Sequence, residues 1–65
     1  MRIMHNGEAI EVNSKTLEAI LDELGYAETV VATAVNGDFV PVTQRANTLL
    51  EPGDSIEVLA PMQGG

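Results

Sequence analysis

The residues of this chain that could do chemistry on their own are few. Its 65 residues include no cysteine and a single histidine, His5. That composition excludes disulfides and thiolate metal ligands, and one histidine argues against a histidine-based metal site. Asp22 and Glu23 are neighbours, so on a helix they diverge and cannot work as a general acid/base pair. The chain contains no G-x-x-x-x-G-K-[ST] phosphate loop. What remains is its end, Pro61-Met62-Gln63-Gly64-Gly65. A glycine carboxylate is unhindered for attack on the α-phosphate of ATP, which yields an acyl adenylate that a sulfur nucleophile can open to a thiocarboxylate. Gly64 and Gly65 carry no Cβ and can pass a channel too narrow for other residues. Pro61 keeps the start of this segment extended, and Met62 suits an apolar anchor in a partner's groove. Six extended residues, counted from Ala60, reach roughly 20 Å. Such a device supplies the acyl group and the reach, while a second protein supplies ATP binding and transition-state stabilisation. The sequence thus predicts a protein with no active site, bound metal or cofactor of its own.

A tail of this kind needs a rigid body behind it. Sixty-five residues make one domain, which buries only about 60% of its unfolded surface. With 45% apolar residues and a mean hydropathy of +0.09, a folded core is expected rather than disorder. Ten acidic residues oppose Arg2, Lys15 and Arg45, for a net charge of −7. A nucleic-acid binder needs a basic footprint, and an anionic membrane surface would repel this chain. The acidity suits solubility or steering toward a basic protein partner. No apolar run approaches the ~20 residues of a membrane span, and no signal-peptide stretch is present. The cytoplasm is the expected compartment.

The elements follow from pattern. Arg2–Asn6 and Glu8–Val12 read as strands around Asn6-Gly7, a pair that tolerates the positive φ angles of a type I′ turn. Ile3, Ile10 and Val12 are their inward candidates. Asn13, Ser14 and Thr16 offer helix caps. Leu17, Ile20, Leu21 and Leu24 then recur at helical spacing, with Glu18, Asp22 and Glu23 on the wet side and Gly25 placed as terminator. Val30–Val35 reads as a strand, and Asn36-Gly37 turns it into Asp38-Phe39-Val40. Pro41 cannot donate to a ladder, so that strand is short or lies at an edge. Thr43–Asn47 reads as a polar connection with room for one helical turn, and Leu49 with Leu50 as a cover for the core. Glu51-Pro52-Gly53-Asp54 is a turn into a last alternating strand, Ser55–Leu59. The helix serves as crossover, and the last strand returns to the middle of the sheet. The expected fold is α+β, a ubiquitin-like β-grasp. It has a mixed sheet of four to five strands, one amphipathic helix on one face, a body over residues 1–60 and a flexible tail over 61–65.

With these residues in view, the sequence resembles the ThiS family of sulfur carriers in thiamine biosynthesis. The resemblance rests on Asn36-Gly37-Asp38-Phe39-Val40-Pro41, on Glu51-Pro52-Gly53-Asp54-Ser55-Ile56-Glu57-Val58 and on Ala60-Pro61-Met62-Gln63-Gly64-Gly65. It implies that a ThiF-like adenylyltransferase charges Gly65 with Mg-ATP. It further implies that sulfur arrives from a persulfide donor, and that the thiocarboxylate feeds a ThiG-like thiazole synthase. A molybdopterin synthase small subunit, a protein modifier joined to lysines and a plain ligand-binding β-grasp module are the rivals. Lys15 is the sole lysine, which leaves a modifier almost no site for chains built on itself.

Partner-surface candidates are Leu59, Glu57 and Phe39. Alternation puts Leu59 opposite to Ile56 and Val58, where an exposed apolar residue at the base of the tail gives a partner something to grip. Phe39 reads first as core and second as interface. Glu51, Asp54 and Glu57 either pair with arginines of the activating enzyme or are ordinary exposed acids. His5 reads as a structural strand residue.

Overall fold

The computed structural model describes residues 1–60. Its elements are β1 Arg2–His5, β2 Glu8–Glu11, α1 Leu17–Glu23, β3 Ala32–Val35, β4 Asp38–Val40, a 3-10 helix Val42–Asn47, and β5 Ser55–Leu59. The strands form one sheet in the order β2-β1-β5-β3-β4. β5 lies parallel to β1 and antiparallel to β3, while both hairpins are antiparallel. This is the expected β-grasp, with its last strand in the centre.

Both hairpins turn on the anticipated dipeptide. Asn6 and Gly7 have φ of 50° and 88°, as do Asn36 and Gly37. Positive angles at both central positions give the twist that joins two strands without splaying them. α1 is capped by Thr16, whose hydroxyl accepts the Ala19 N–H at 3.1 Å. It ends as the sequence requires: the Gly25 N–H reaches Asp22 O at 3.1 Å and the Tyr26 N–H reaches Leu21 O at 2.8 Å. That double closure needs a left-handed residue at Gly25, which has φ 93°.

Seven residues would not hold a helix alone in water, so α1 depends on its apolar stripe. Leu17, Ile20 and Leu21 are buried with Ile3 of β1, Val40 of β4 and Ile56 and Val58 of β5. Leu24 is half-buried against the same cluster. The helix entrance is also pinned by backbone. Leu17 N–H donates to Thr48 O, and Leu50 N–H to Lys15 O, both at 2.8 Å. This short bridge sets Leu49 outward at 69% exposure and Leu50 inward at 4%. The expectation that both leucines cover the core therefore holds for Leu50 and fails for Leu49. Adjacent residues of an extended segment point to opposite sides, so only one can face inward.

Strand limits also differ from the sequence reading: β1 ends at His5 rather than Asn6, and β2 at Glu11 rather than Val12. β3 begins at Ala32 rather than Val30, which is exposed. Its ladder partner β5 stops at Leu59, opposite Ala32, and a run of β-branched residues cannot reveal where its partner ends. The connection after Pro41 is a 3-10 helix that includes Val42. Arg45 fastens it to β3 and the residue before it, donating to Thr33 Oγ1 at 3.1 Å and to Val31 O at 2.7 Å. The Thr33 hydroxyl in turn donates to Val40 O at 2.9 Å, which satisfies the one buried polar side chain among the described residues.

Glu23 does more than wet the outer face of α1. Its carboxylate accepts the Asn13 N–H at 2.9 Å and the Ser14 N–H at 3.0 Å, closing the loop between β2 and α1. The Asn13 N–H chiefly holds this carboxyl below the ordinary glutamate value of 4.5; desolvation opposes the shift, and Ser14 adds to it. A carboxyl with a lowered folded-state value stabilises the fold above its ordinary value. That stabilisation is lost as the pH falls through the lowered one. Glu23→Gln is therefore expected to lower the melting temperature at neutral pH. The gap to wild type should close in acid well below 4.5, as parallel thermal melts would show.

Candidate functional site

The side chains of β5 alternate cleanly. Ile56 and Val58 are buried under α1, and Glu57 and Leu59 stand on the other face. Register brings that outer face together across three strands: Leu59 lies opposite Ala32, Glu57 opposite Ala34, and Ala34 opposite Phe39. Two alanines thus make a low floor between the exposed Phe39 and Leu59, 70% and 68% accessible. The floor and its walls enclose a shallow recess of about 110 Å³. Glu57 borders it, and forms no ion pair among the described residues. The structure therefore assembles all three partner-surface candidates into one patch. Phe39 is not core, which overturns the first reading of it. Three-residue β4 turns Val40 inward at the sheet edge, and alternation leaves its neighbour Phe39 outside.

Such a patch is what a docking protein needs: a step where an apolar side chain can seat, beside an unpaired carboxylate that a cation can meet. It adjoins Leu59, the final residue of the sheet, from which the chain continues through Ala60. Pro61, Met62, Gln63, Gly64 and Gly65, the residues assigned to passage and activation, lie outside the described residues.

Other candidates prove structural. Asp54 accepts from the Asn36 carboxamide at 3.2 Å and from the Glu51 N–H at 2.8 Å, so it closes its own turn. His5 Nε2 lies 3.0 Å from the Tyr26 hydroxyl, with the rings edge to face. A second groove, of about 530 Å³, runs between α1 and the 3-10 helix past Glu18, Asp22 and Tyr26. Its one cation, Arg45, is already committed to Val31 and Thr33. Among the described residues, no group of three or more His, Cys, Asp or Glu is placed to hold a metal. No helix there is long and apolar enough to cross a membrane.

Two features escaped the sequence reading. Ala32 and Ala34 floor the recess, and the alternation of alanines opposite Phe39 was the signal available for them. Asn6 grips β5: its Oδ1 accepts the Val58 N–H at 2.8 Å and its Nδ2 donates to Val58 O at 3.1 Å. Asn-Gly announced the turn, but nothing in the sequence aims that carboxamide at a strand 52 residues away.

Comparison with known proteins agrees with this geometry. The ThiS family profile matches residues 3–65. A sulfur carrier protein ThiS from Thermus thermophilus is 37% identical over 60 residues, covering 92% of this chain and 94% of that one. A thiazole synthase from Paramagnetospirillum magneticum is 36% identical over the whole of this chain, which spans 20% of that protein's length. The crystal structure of the thiamine biosynthesis protein ThiS from Geobacter metallireducens superposes with a TM-score of 0.85. It is 26% identical, with both chains fully covered. A profile matched from the first strand through the terminal glycines, on a β-grasp sheet whose centre is β5, places this chain in the ThiS family.

Proposed function

We propose that this chain carries sulfur in thiamine biosynthesis on the carboxylate of Gly65. The observation that carries this reading is the family match through residue 65, on a body whose central strand ends beside an unpaired apolar patch. The chemistry balances in three steps. A Gly65 carboxylate oxygen attacks the α-phosphate of Mg-ATP, bound by a ThiF-like adenylyltransferase, and pyrophosphate leaves. The terminal sulfur of a persulfide attacks the acyl carbon and AMP leaves, giving an acyl disulfide. A thiol then takes the other sulfur of that S–S bond and frees the thiocarboxylate. A ThiG-like thiazole synthase accepts the sulfur. The similarity to a thiazole synthase five times this chain's length supports that last partner. The chain itself binds no cofactor and acts as a cosubstrate rather than an enzyme. Residues 61–65 form the part that enters each partner, and the cytoplasm, where ATP and the donor meet, is where we place it. The relatives found favour this pathway over molybdopterin synthesis.

Incubation with the activating enzyme, Mg-ATP and a persulfide donor, followed by intact-mass measurement, tests the proposal. One oxygen of the C-terminal peptide is expected to be replaced by sulfur. An unchanged mass, or adducts on lysines of other proteins, would contradict it. The patch of Leu59, Glu57 and Phe39 is the proposed docking surface. Leu59→Asp is expected to weaken binding to the activating enzyme by about 2 kcal/mol or more, as central interface residues do. Its melting temperature should barely move, because the side chain is exposed. Calorimetric titration beside a thermal melt reads both.

A further inference from the structure

β1 ends at His5, where Asn6 takes the chain away at φ 50°. The last main-chain bond of the parallel pairing runs from the Asn6 N–H to Ile56 O at 3.0 Å. In a continued parallel strand, the Asn6 carbonyl would next accept from Val58, and the amide two residues further would donate to it. The Asn6 carboxamide performs both roles, accepting the Val58 N–H on Oδ1 and donating from Nδ2 to Val58 O. One side chain thus extends the β1 edge past the point where β1 has turned back. On the other edge of β5, Val58 and Leu59 are opposite Thr33 and Ala32. The main-chain groups of Val58 point to the β1 side, as the Ile56 carbonyl does, and there Asn6 holds both of them.

Asn36 offers a natural comparison. It occupies the same position of the same kind of turn, at φ 50°. It grips the opposite end of the strand: the Ser55 N–H donates to its Oδ1 at 2.9 Å, and its own N–H donates to Ser55 O at 2.8 Å. The two asparagines are matched in turn chemistry; Asn36 fixes the opposite end of β5, and its Nδ2 donates to Asp54 Oδ1 rather than to the strand.

We infer that Asn6 is a positioning residue for the carrier chemistry: by fixing Val58 it sets the direction in which the chain leaves the sheet after Leu59. The inference rests on the proposed sulfur-carrier role of Gly65. Asn6 touches no reactant. It narrows the range of directions open to the chain beyond Leu59, and that raises the fraction of docked complexes in which the reacting carboxylate reaches its target. The patch of Leu59, Glu57 and Phe39 stays intact without it, so encounter with the partner does not depend on it.

Asn6→Gly and Asn36→Gly provide the test, because glycine keeps the positive φ of either turn while removing the carboxamide. Amide exchange at Val58 and pyrophosphate release by the activating enzyme are measured on both variants. Asn6→Gly is expected to exchange faster at Val58 and to lose about tenfold in kcat, with KM for the carrier changed by about twofold at most. Asn36→Gly is expected to keep the wild-type kcat. Should Asn6→Gly not fold, Asn6→Asp keeps the turn and the acceptor but sets an oxygen against Val58 O, with the same kcat loss expected. A wild-type kcat in the Asn6 variant overturns the inference, and so does an equal loss in both glycine variants. Wild-type protein that is never charged would instead sink the carrier reading, and the inference with it. The exchange rate at Val58 is measured without any enzyme, so a failed clamp and a failed carrier role are told apart.

Discussion

A chain shortened by Gly65 alone is expected to accept almost no sulfur while melting where the full chain melts. The shortened chain still ends in a glycine carboxylate, that of Gly64, so its intrinsic reactivity is unchanged. What changes is position. One residue removes about 3.4 Å of reach, and a displacement of even 1 Å from a near-attack geometry costs on the order of 10²-fold. Docking of the body cannot compensate, because β5 fixes where the tail starts. The melt should not respond, since the buried cluster runs from Ile3 to Val58. Intact-mass measurement after charging, beside a thermal melt of the same sample, reads both halves. A wild-type yield of thiocarboxylate from the shortened chain would contradict the proposed function.

Ile56→Ala is expected to do the reverse, removing the body and leaving the tail's chemistry intact but undirected. Ile56 is fully buried in the central strand, beneath Leu17 and Ile20 of α1. Truncating such a residue costs about 2–5 kcal/mol, from lost transfer energy and the cavity left behind. A 65-residue domain has about 3–10 kcal/mol in total, so a large share of the stability goes. Ile56→Val, which removes one methylene, should cost about 0.5–1.5 kcal/mol and still be charged by the activating enzyme. Urea titrations of both variants provide the comparison. A fully folded Ile56→Ala chain at 37 °C would mean that the core tolerates a cavity at its centre.

The fold was legible because each local signal agreed with the global arrangement. Leu17, Ile20 and Leu21 shared one stripe, Gly25 stopped the helix, and both Asn-Gly pairs turned as their chemistry demands. Pro41 correctly confined β4 to an edge. The errors fell where a neighbour decides the outcome. Leu49 and Leu50 are alike as residues, and only the bridge at Thr16 chooses which of them faces in. Phe39 has the composition of a core residue, yet the sheet edge leaves it on the open face. The Glu23 closure of the loop before α1 and the Asn6 grip on Val58 join residues distant in sequence, so no local pattern contains them. For the site, the chemistry was readable from the glycine pair, but the patch that presents it required the register of three strands.

The central place of β5 has a consequence for synthesis. Without Ser55–Leu59 the sheet falls into two separate hairpins, each too small to persist in water. The ribosome must therefore release the chain through Leu59 before any of this body can settle. Fragments from interrupted translation stay unfolded and open to proteases. A settled body is thus evidence that the message was read past Leu59, and partners that recognise its open sheet face pass over copies cut short before that point.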